Sequence, residues 1–113
     1  MTKIPSVTPQ CPMETALNLL SGKWTLQILW QLSQHPFHFN ELQCALITIS
    51  PKALSQELRR LEQAAIIERE VIPDLPPRTI YSLSATGRTL QPVLKQLCDW
   101  GKAYSSRQID RSI

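Results

Sequence analysis

Apolar residues recur first at helical spacing and then at strand spacing, and the switch divides the chain into two parts. Pro12 is placed for a first helical turn, Glu14 falls in the acid-favouring start, and Met13, Leu17 and Leu20 share one face. Ser21-Gly22 ends that first helix. Trp24, Ile28 and Leu32 recur every fourth residue, with Leu29 widening the stripe. They predict a second helix from about Lys23 to Gln34, closed by Pro36. Phe39, Leu42 and Leu46 predict a short third helix over 39–46. Pro51 pushes Ser50 out of helical geometry, which leaves Ser50 as N-cap with Pro at N1 of a fourth helix reaching about Ala64. A short helix, a turn and a helix on this scale fit a helix-turn-helix.

Beyond that point Ile67, Arg69 and Val71 alternate with Glu68 and Glu70, as in a strand, and Thr79, Tyr81 and Leu83 alternate in a second. The stretch Pro73 to Arg78 cannot continue a ladder and forms the loop between them. Ser84 can cap a last helix from about Ala85 past Trp100, in which Pro92 predicts a kink or a frayed first segment. The expected fold is mainly α with a small β-hairpin wing: a winged helix-turn-helix. Residues 1–10 carry two prolines and no periodicity and read as a loose arm. Residues 11–106 make the domain with its flanking helices, and 107–113 a C-terminal tail.

On the fourth helix at about 100° per residue, Leu54, Leu58, Leu61 and Ala65 form the core seam. Lys52, Ser55, Gln56, Arg59, Arg60 and Gln63 lie opposite, with Glu57 and Glu62 on the flanks. A face of cationic and amide groups can enter a major groove, where Arg or Lys grips guanine or phosphate and Gln pairs with adenine. The plain alternative is a solvated helix face. The short preceding helix, the Ser-Pro start and the proline-bounded hairpin all belong to the same motif and favour DNA. The candidate DNA-contacting set is Ser50, Lys52, Ala53, Ser55, Gln56, Arg59 and Arg60, with Arg78 at the hairpin tip and Lys23 and Asn40 near helix N-termini. For Arg78 a contact to DNA and a simple pairing with Asp74 stand level.

In the last helix Val93, Leu97, Trp100 and Tyr104 form one stripe, and Leu90, Leu94 and Cys98 an adjacent one. This is more apolar arc than one small domain needs to cover a helix. One stripe packs at home, and the other, with Met13 and Leu17, is expected to meet a second copy. Intramolecular cover by the first helix is the alternative.

Composition removes other classes. The chain has 113 residues, 42% hydrophobic and 19% charged, as a single globular domain should be. With only three glycines, a phosphate-cradling loop is nearly excluded. No apolar run approaches a membrane span and the N-terminus lacks a secretory signal, so a cytoplasmic protein without membrane contact is expected. The net charge of +3 permits an anionic partner. It does not come from the reader, because residues 50–78 balance Lys52, Arg59, Arg60, Arg69 and Arg78 against Glu57, Glu62, Glu68, Glu70 and Asp74.

The cysteines, Cys11, Cys44 and Cys98, are odd in number and widely spaced, so neither a disulfide framework nor a metal site is expected, and no cofactor. Cys44 and Cys98 read as small buried residues. Cys11 sits at the predicted N-cap of the first helix, where the positive end of the dipole favours a reactive thiolate. An inert capping thiol is the alternative.

The segments C-P-M-E-T-A-L, G-K-W-T-L, F-N-E-L, I-S-P-K-A-L-S-Q-E-L-R-R-L-E, P-P-R-T-I-Y-S-L and T-G-R-T-L-Q-P-V-L-K-Q-L-C-D-W-G, from Cys11 to about Gly101, together resemble the HxlR family of bacterial winged helix-turn-helix regulators. The resemblance implies a homodimer built by the terminal helices, a fourth helix that reads an operator in double-stranded DNA, and the hairpin as wing. It implies a transcription regulator, expected to be a repressor, with Cys11 as a redox or electrophile sensor and room for a small-molecule or oxidant effector. Two positions depart from the pattern: Ala65 stands where Gly is usual after the fourth helix, and Gln43-Cys44 follows F-N-E-L where Arg is frequent. The turn at Ala65 is thus expected to do without a φ-positive glycine.

The rival reading is a winged-helix protein-interaction module without DNA binding, since fold alone does not settle function. An enzyme is the weakest reading: there is no carboxylate pair at useful spacing, no nucleophile elbow, and no recognisable partner for His35 or His38.

Overall fold

Pro12 opens α1 (Pro12–Leu20), and the apolar stripe of α2 (Thr25–Gln34) turns Ile28, Leu29 and Leu32 into the core of the computed structural model. The structure describes residues 11–112, with side chains through Arg107; the expected N-terminal arm lies outside the described residues. After α2 come β1 (Phe37–His38), α3 (Phe39–Leu46), α4 (Pro51–Gln63), β2 (Ile67–Ile72), β3 (Arg78–Leu83), α5 (Ala85–Arg88) and α6 (Gln91–Ser112). The expected α-rich order with a hairpin is present. Mainly helical, with a small antiparallel sheet, the chain has the architecture of a winged helix.

The sheet runs β1-β3-β2, with Ile67 opposite Leu83 and Ile72 opposite Arg78 in the hairpin. β1 is too short to show alternation in sequence, yet it pairs Phe37 with Tyr81 and ties the wing to the start of α3. Arg78, expected in the loop, instead begins β3.

Leu54, Leu58 and Leu61 of α4 are fully buried against Ile28, Leu29, Leu42 and Ile67. Each such side chain contributes about 1.5–3 kcal/mol by leaving water. Ala65, placed on this seam by extending the helix, is exposed, because the helix stops at Gln63. The stop is a Schellman motif. The Ile66 N–H donates to the Leu61 carbonyl and the Ala65 N–H to that of Glu62, both at 3.0 Å, while Ile66 drops into the core. Ala65 takes φ 64°, so the left-handed turn is kept without glycine.

Ser84 caps α5 by accepting the Gly87 N–H at 3.0 Å, and its own hydroxyl donates to the Ala65 and Ile66 carbonyls. A Cβ at Gly87 would lie 2.2 Å from the Ile66 carbonyl oxygen, so the approach of α5 to the β2 entry requires glycine. The single last helix expected from Ala85 is split into α5 and α6, and Pro92 sits in the first turn of α6, where its missing N–H costs nothing. At the far end, α6 continues to Ser112 where a tail from residue 107 was expected. Cys44, expected to be buried, is exposed, and Cys98 is half-buried.

Candidate nucleic-acid interface

The start of α4 forms as its sequence demands. Ser50 is extended at φ −76°, ψ 154°, its hydroxyl accepts the Ala53 N–H at 3.0 Å, and Pro51 occupies the first helical position. Inside, α4 is pinned to α1 and α2 by a polar cluster. The fully buried Thr25 donates its hydroxyl to Glu57 Oε1 at 2.7 Å. Arg60 donates from Nη2 to Thr25 Oγ1 at 3.0 Å and to the Leu19 carbonyl at 2.9 Å, and it pairs with both Glu57 oxygens. Burial would raise the Glu57 carboxyl, but the hydrogen bonds from Arg60 and Thr25 and the Arg60 charge outweigh it and hold the group below its ordinary value. Gly22 leaves room for this cluster, since a Cβ there would meet Thr25 Oγ1 at 2.4 Å.

The outward face therefore differs from the expected one at Arg60, and one further candidate contact, Ala53, lies off it. Arg60, placed on it by spacing, turns its guanidinium inward to Glu57 because a long side chain on the flank of α4 reaches that partly buried carboxylate. Ala53 is half-buried and packs against the core, so its methyl stands off the exposed polar face. Lys52, Gln56 and Arg59 are exposed, Ser55 is half-buried, and Ser50 is exposed at the cap.

Ser55 and Arg59 line a polar cleft of about 590 Å³ between α4 and the sheet, together with Glu62, Gln63, Arg69 and Tyr81. Among the described residues Arg59 has no ion pair, while Arg69 lies 3.6 Å from Glu62. Burial raises the Tyr81 phenol, the Arg69 charge opposes this and Glu62 adds to it, so Tyr81 keeps its proton and can donate. Sequence reasoning missed Arg69 and Tyr81. Strand alternation showed their facing, but only the register, which sets Arg69 opposite Tyr81, brings them beside α4.

Elsewhere the candidates disperse. Arg78 donates to Asp74 Oδ2 at 3.0 Å, so the pairing alternative is present at the wing tip. Lys23 lies ahead of α2, its Nζ 5.5 Å from the centre of the Trp24 ring, and Asn40 is exposed in the first turn of α3. Cys11 is the exposed N-cap of α1, and its side chain makes no cap hydrogen bond. The flanking stripes stay open as well. α1 buries none of its residues, and Met13, Leu17, Val93, Leu97, Trp100 and Tyr104 are all exposed. Trp100 and Tyr104 stack on each other with ring centres 5.1 Å apart.

A helix-turn-helix followed by a hairpin wing in a three-stranded sheet, with a polar face on its second helix, places the chain in the winged-helix class of folds. The family profile for the HxlR-like helix-turn-helix matches residues 19–109. The HTH-type transcriptional regulator YdeP of Bacillus subtilis is 40% identical over 97 residues, 86% of this chain and 76% of that protein. The reduced form of the redox regulator HypR shares a TM-score of 0.80 at 34% identity, over 91% of this chain and 100% of that one. The reduced form of the transcriptional regulator YodB from B. subtilis gives 0.71 at 38% identity, over 81% of this chain and 91% of that one. The chain belongs to the HxlR-like helix-turn-helix family, and its relatives are transcriptional regulators. The matched span begins after Cys11, which the resemblance had included. No described helix is long and apolar enough to cross a membrane.

Proposed function

We propose that the protein is a homodimeric, sequence-specific DNA-binding transcription regulator that represses by occupying its operator. The observation that carries this reading is α4. Its core face is locked by Leu54, Leu58, Leu61 and the Glu57–Arg60–Thr25 cluster, while Lys52, Gln56 and Arg59 are left free on the other side. A helix held so firmly can present side chains to base edges in one fixed register. In this reading Lys52, Ser55, Gln56 and Arg59 contact bases or their phosphates, and Ser50, Lys23, Asn40 and Arg78 position the protein on the backbone. Arg69 and Tyr81 join the phosphate contacts as donors beside Arg59. Arg60 and Ala53 support α4 from behind. Selection of bound DNA from a random pool is expected to return a two-fold symmetric sequence, and transcription from a promoter carrying it should fall as protein is added. Recovery of no enriched sequence would overturn DNA reading and favour the protein-interaction module; a rise in transcription would overturn repression alone.

Cys11 is the proposed redox or electrophile sensor. Its exposure at the helix N-cap supports this, as does the likeness to a redox regulator. Diamide treatment should change the affinity for the selected DNA in the native protein and leave Cys11→Ser unresponsive. A normal response in Cys11→Ser would remove the role.

A further inference from the structure

A second cleft, of about 440 Å³, lies behind the reading helix, where α2, the end of α3 and α6 meet. Trp30, Ala45, Leu46, Leu94 and Leu97 make its lining chiefly apolar, and its size falls in the range that holds small organic ligands. It is not wholly apolar, because Gln27 and Gln31 also line it. Among the described residues neither amide has a hydrogen-bond partner. Trp30 and Cys98 also border an adjoining polar recess that contains Lys95, Asp99 and Lys102. Lys95 pairs with Asp99 at 3.1 Å, which leaves Lys102 as the unbalanced charge.

We infer that this cleft binds a small apolar molecule carrying an acidic group, with its body among Trp30, Leu46 and Leu94 and its charge toward Lys102. The alternative occupant, a second copy of the chain, fits a different sector of α6. At about 100° per residue, Val93, Trp100 and Tyr104 lie about 80–120° to one side of Leu94, and Lys102 about 80° to the other. Cys98 lies on the Lys102 side, and Leu97 marks the border between the cleft and the exposed stripe.

The position gives the ligand a route to α4. Ala45 and Leu46 end α3, and the next residue, Ile47, adopts φ 61°, ψ −64° in a tight turn closed by the Thr48 N–H on the Leu46 carbonyl at 2.6 Å. A β-branched residue in that conformation is strained, and the turn leads directly to the Ser50 cap. A molecule seated against Ala45 and Leu46 acts on the turn that sets where α4 begins. This regulatory half rests on the DNA reading proposed above; the binding half does not.

The probe is 8-anilinonaphthalene-1-sulfonate, an aromatic anion whose fluorescence rises in apolar sites. The native protein should bind it saturably at one site per chain. Ala45→Trp and, independently, Gln27→Trp fill the cleft from exposed positions and should abolish that site while oligomeric state and thermal unfolding stay unchanged. Lys102→Ala should weaken binding by about threefold, as expected for an exposed charge contact. Leu75→Ser, which removes an exposed leucine on the wing loop, should change nothing. Undiminished binding in both filled variants overturns the site, and a changed oligomeric state in them assigns the face to a second copy instead. Saturating probe should also shift the affinity for the selected DNA. Cleft binding without that shift overturns the regulatory half. Failure of the unliganded protein to bind any DNA overturns the earlier reading and leaves the ligand site standing.

Discussion

Arg59 and Arg60 are neighbours separated by about 100° of helix rotation, and that rotation gives them opposite environments. Arg59 is exposed on the polar cleft, whereas Arg60 is bound to Glu57, Thr25 and the Leu19 carbonyl. Arg59→Ala should therefore weaken operator binding by about 1–3 kcal/mol at matched salt with no change in unfolding temperature. Arg60→Ala should lower the unfolding temperature, because it leaves the partly buried Glu57 carboxylate without its cation. The two measurements together, unfolding and DNA affinity for each variant, test the assignment; a stability loss in Arg59→Ala would reverse it. Backbone strain makes a second prediction at this scale. Ala65 at φ 64° and Ile47 at φ 61° both occupy the left-handed half of backbone space, and both side chains are exposed. Ala65→Gly removes a strain of about 1–2 kcal/mol and gives back about 0.4–1 kcal/mol in unfolded-chain entropy. A net gain of between about 0 and about 1.6 kcal/mol in denaturant unfolding is expected, and a net loss would show that Ala65 is not strained.

Elements whose stability comes from local periodicity were legible, and those made by tertiary pairing were not. The α4 seam of Leu54, Leu58 and Leu61, with Ser50-Pro51 at its start, could be read because spacing and capping are both local. β1 could not, since two residues carry no period and exist as strand only through Phe37 and His38 pairing with β3. The inward turn of Arg60 escaped for the same reason: its partners Leu19 and Thr25 are remote in sequence. The polar cleft also escaped, because Arg69 and Tyr81 reach α4 only through the hairpin register. The Glu57 cluster gives this scale its own test. The carboxyl is held below its ordinary value of 4.5 in the folded chain, so it contributes stability that is present above the unfolded value and lost as pH falls through the folded one. Glu57→Gln should be less stable than the native protein at neutral pH, and the difference should shrink as pH falls below the ordinary carboxyl value of 4.5. A difference that is constant across that range would show that the cluster works by shape alone. Gly22→Ala should give a similar loss at neutral pH, since its Cβ would crowd Thr25 Oγ1 at 2.4 Å.

For the whole molecule, charge and apolar surface point to different partners. The net +3 arises beyond residue 78, where Arg88, Lys95, Lys102, Arg107 and Arg111 outnumber Asp99 and Asp110, so in the proposed reading attraction to DNA comes from charge sorted by face and not from the total. The apolar excess lies on α1 and α6, where Met13 is 64% exposed and Trp100 65%. Exposed apolar residues gathered on two flanking helices mark a protein contact, and a second copy suits a reader of two-fold operators because it places two α4 helices on half-sites about 34–36 Å apart or a multiple of that. Trp100→Glu puts a charge into the proposed dimer contact, so the native protein should sediment as a dimer and the variant as a monomer in sedimentation equilibrium. Helical content should persist, because Trp100 is not part of the buried core. The salt dependence of binding then reports whether the dimer is the DNA-binding unit. Each neutralised phosphate adds about −0.9 to the slope of log affinity against log salt, so the monomeric variant should show about half the native slope together with weaker binding. An unchanged slope in a proven monomer would mean that one copy makes all the phosphate contacts, and a flat response in the native protein would argue against DNA as the partner.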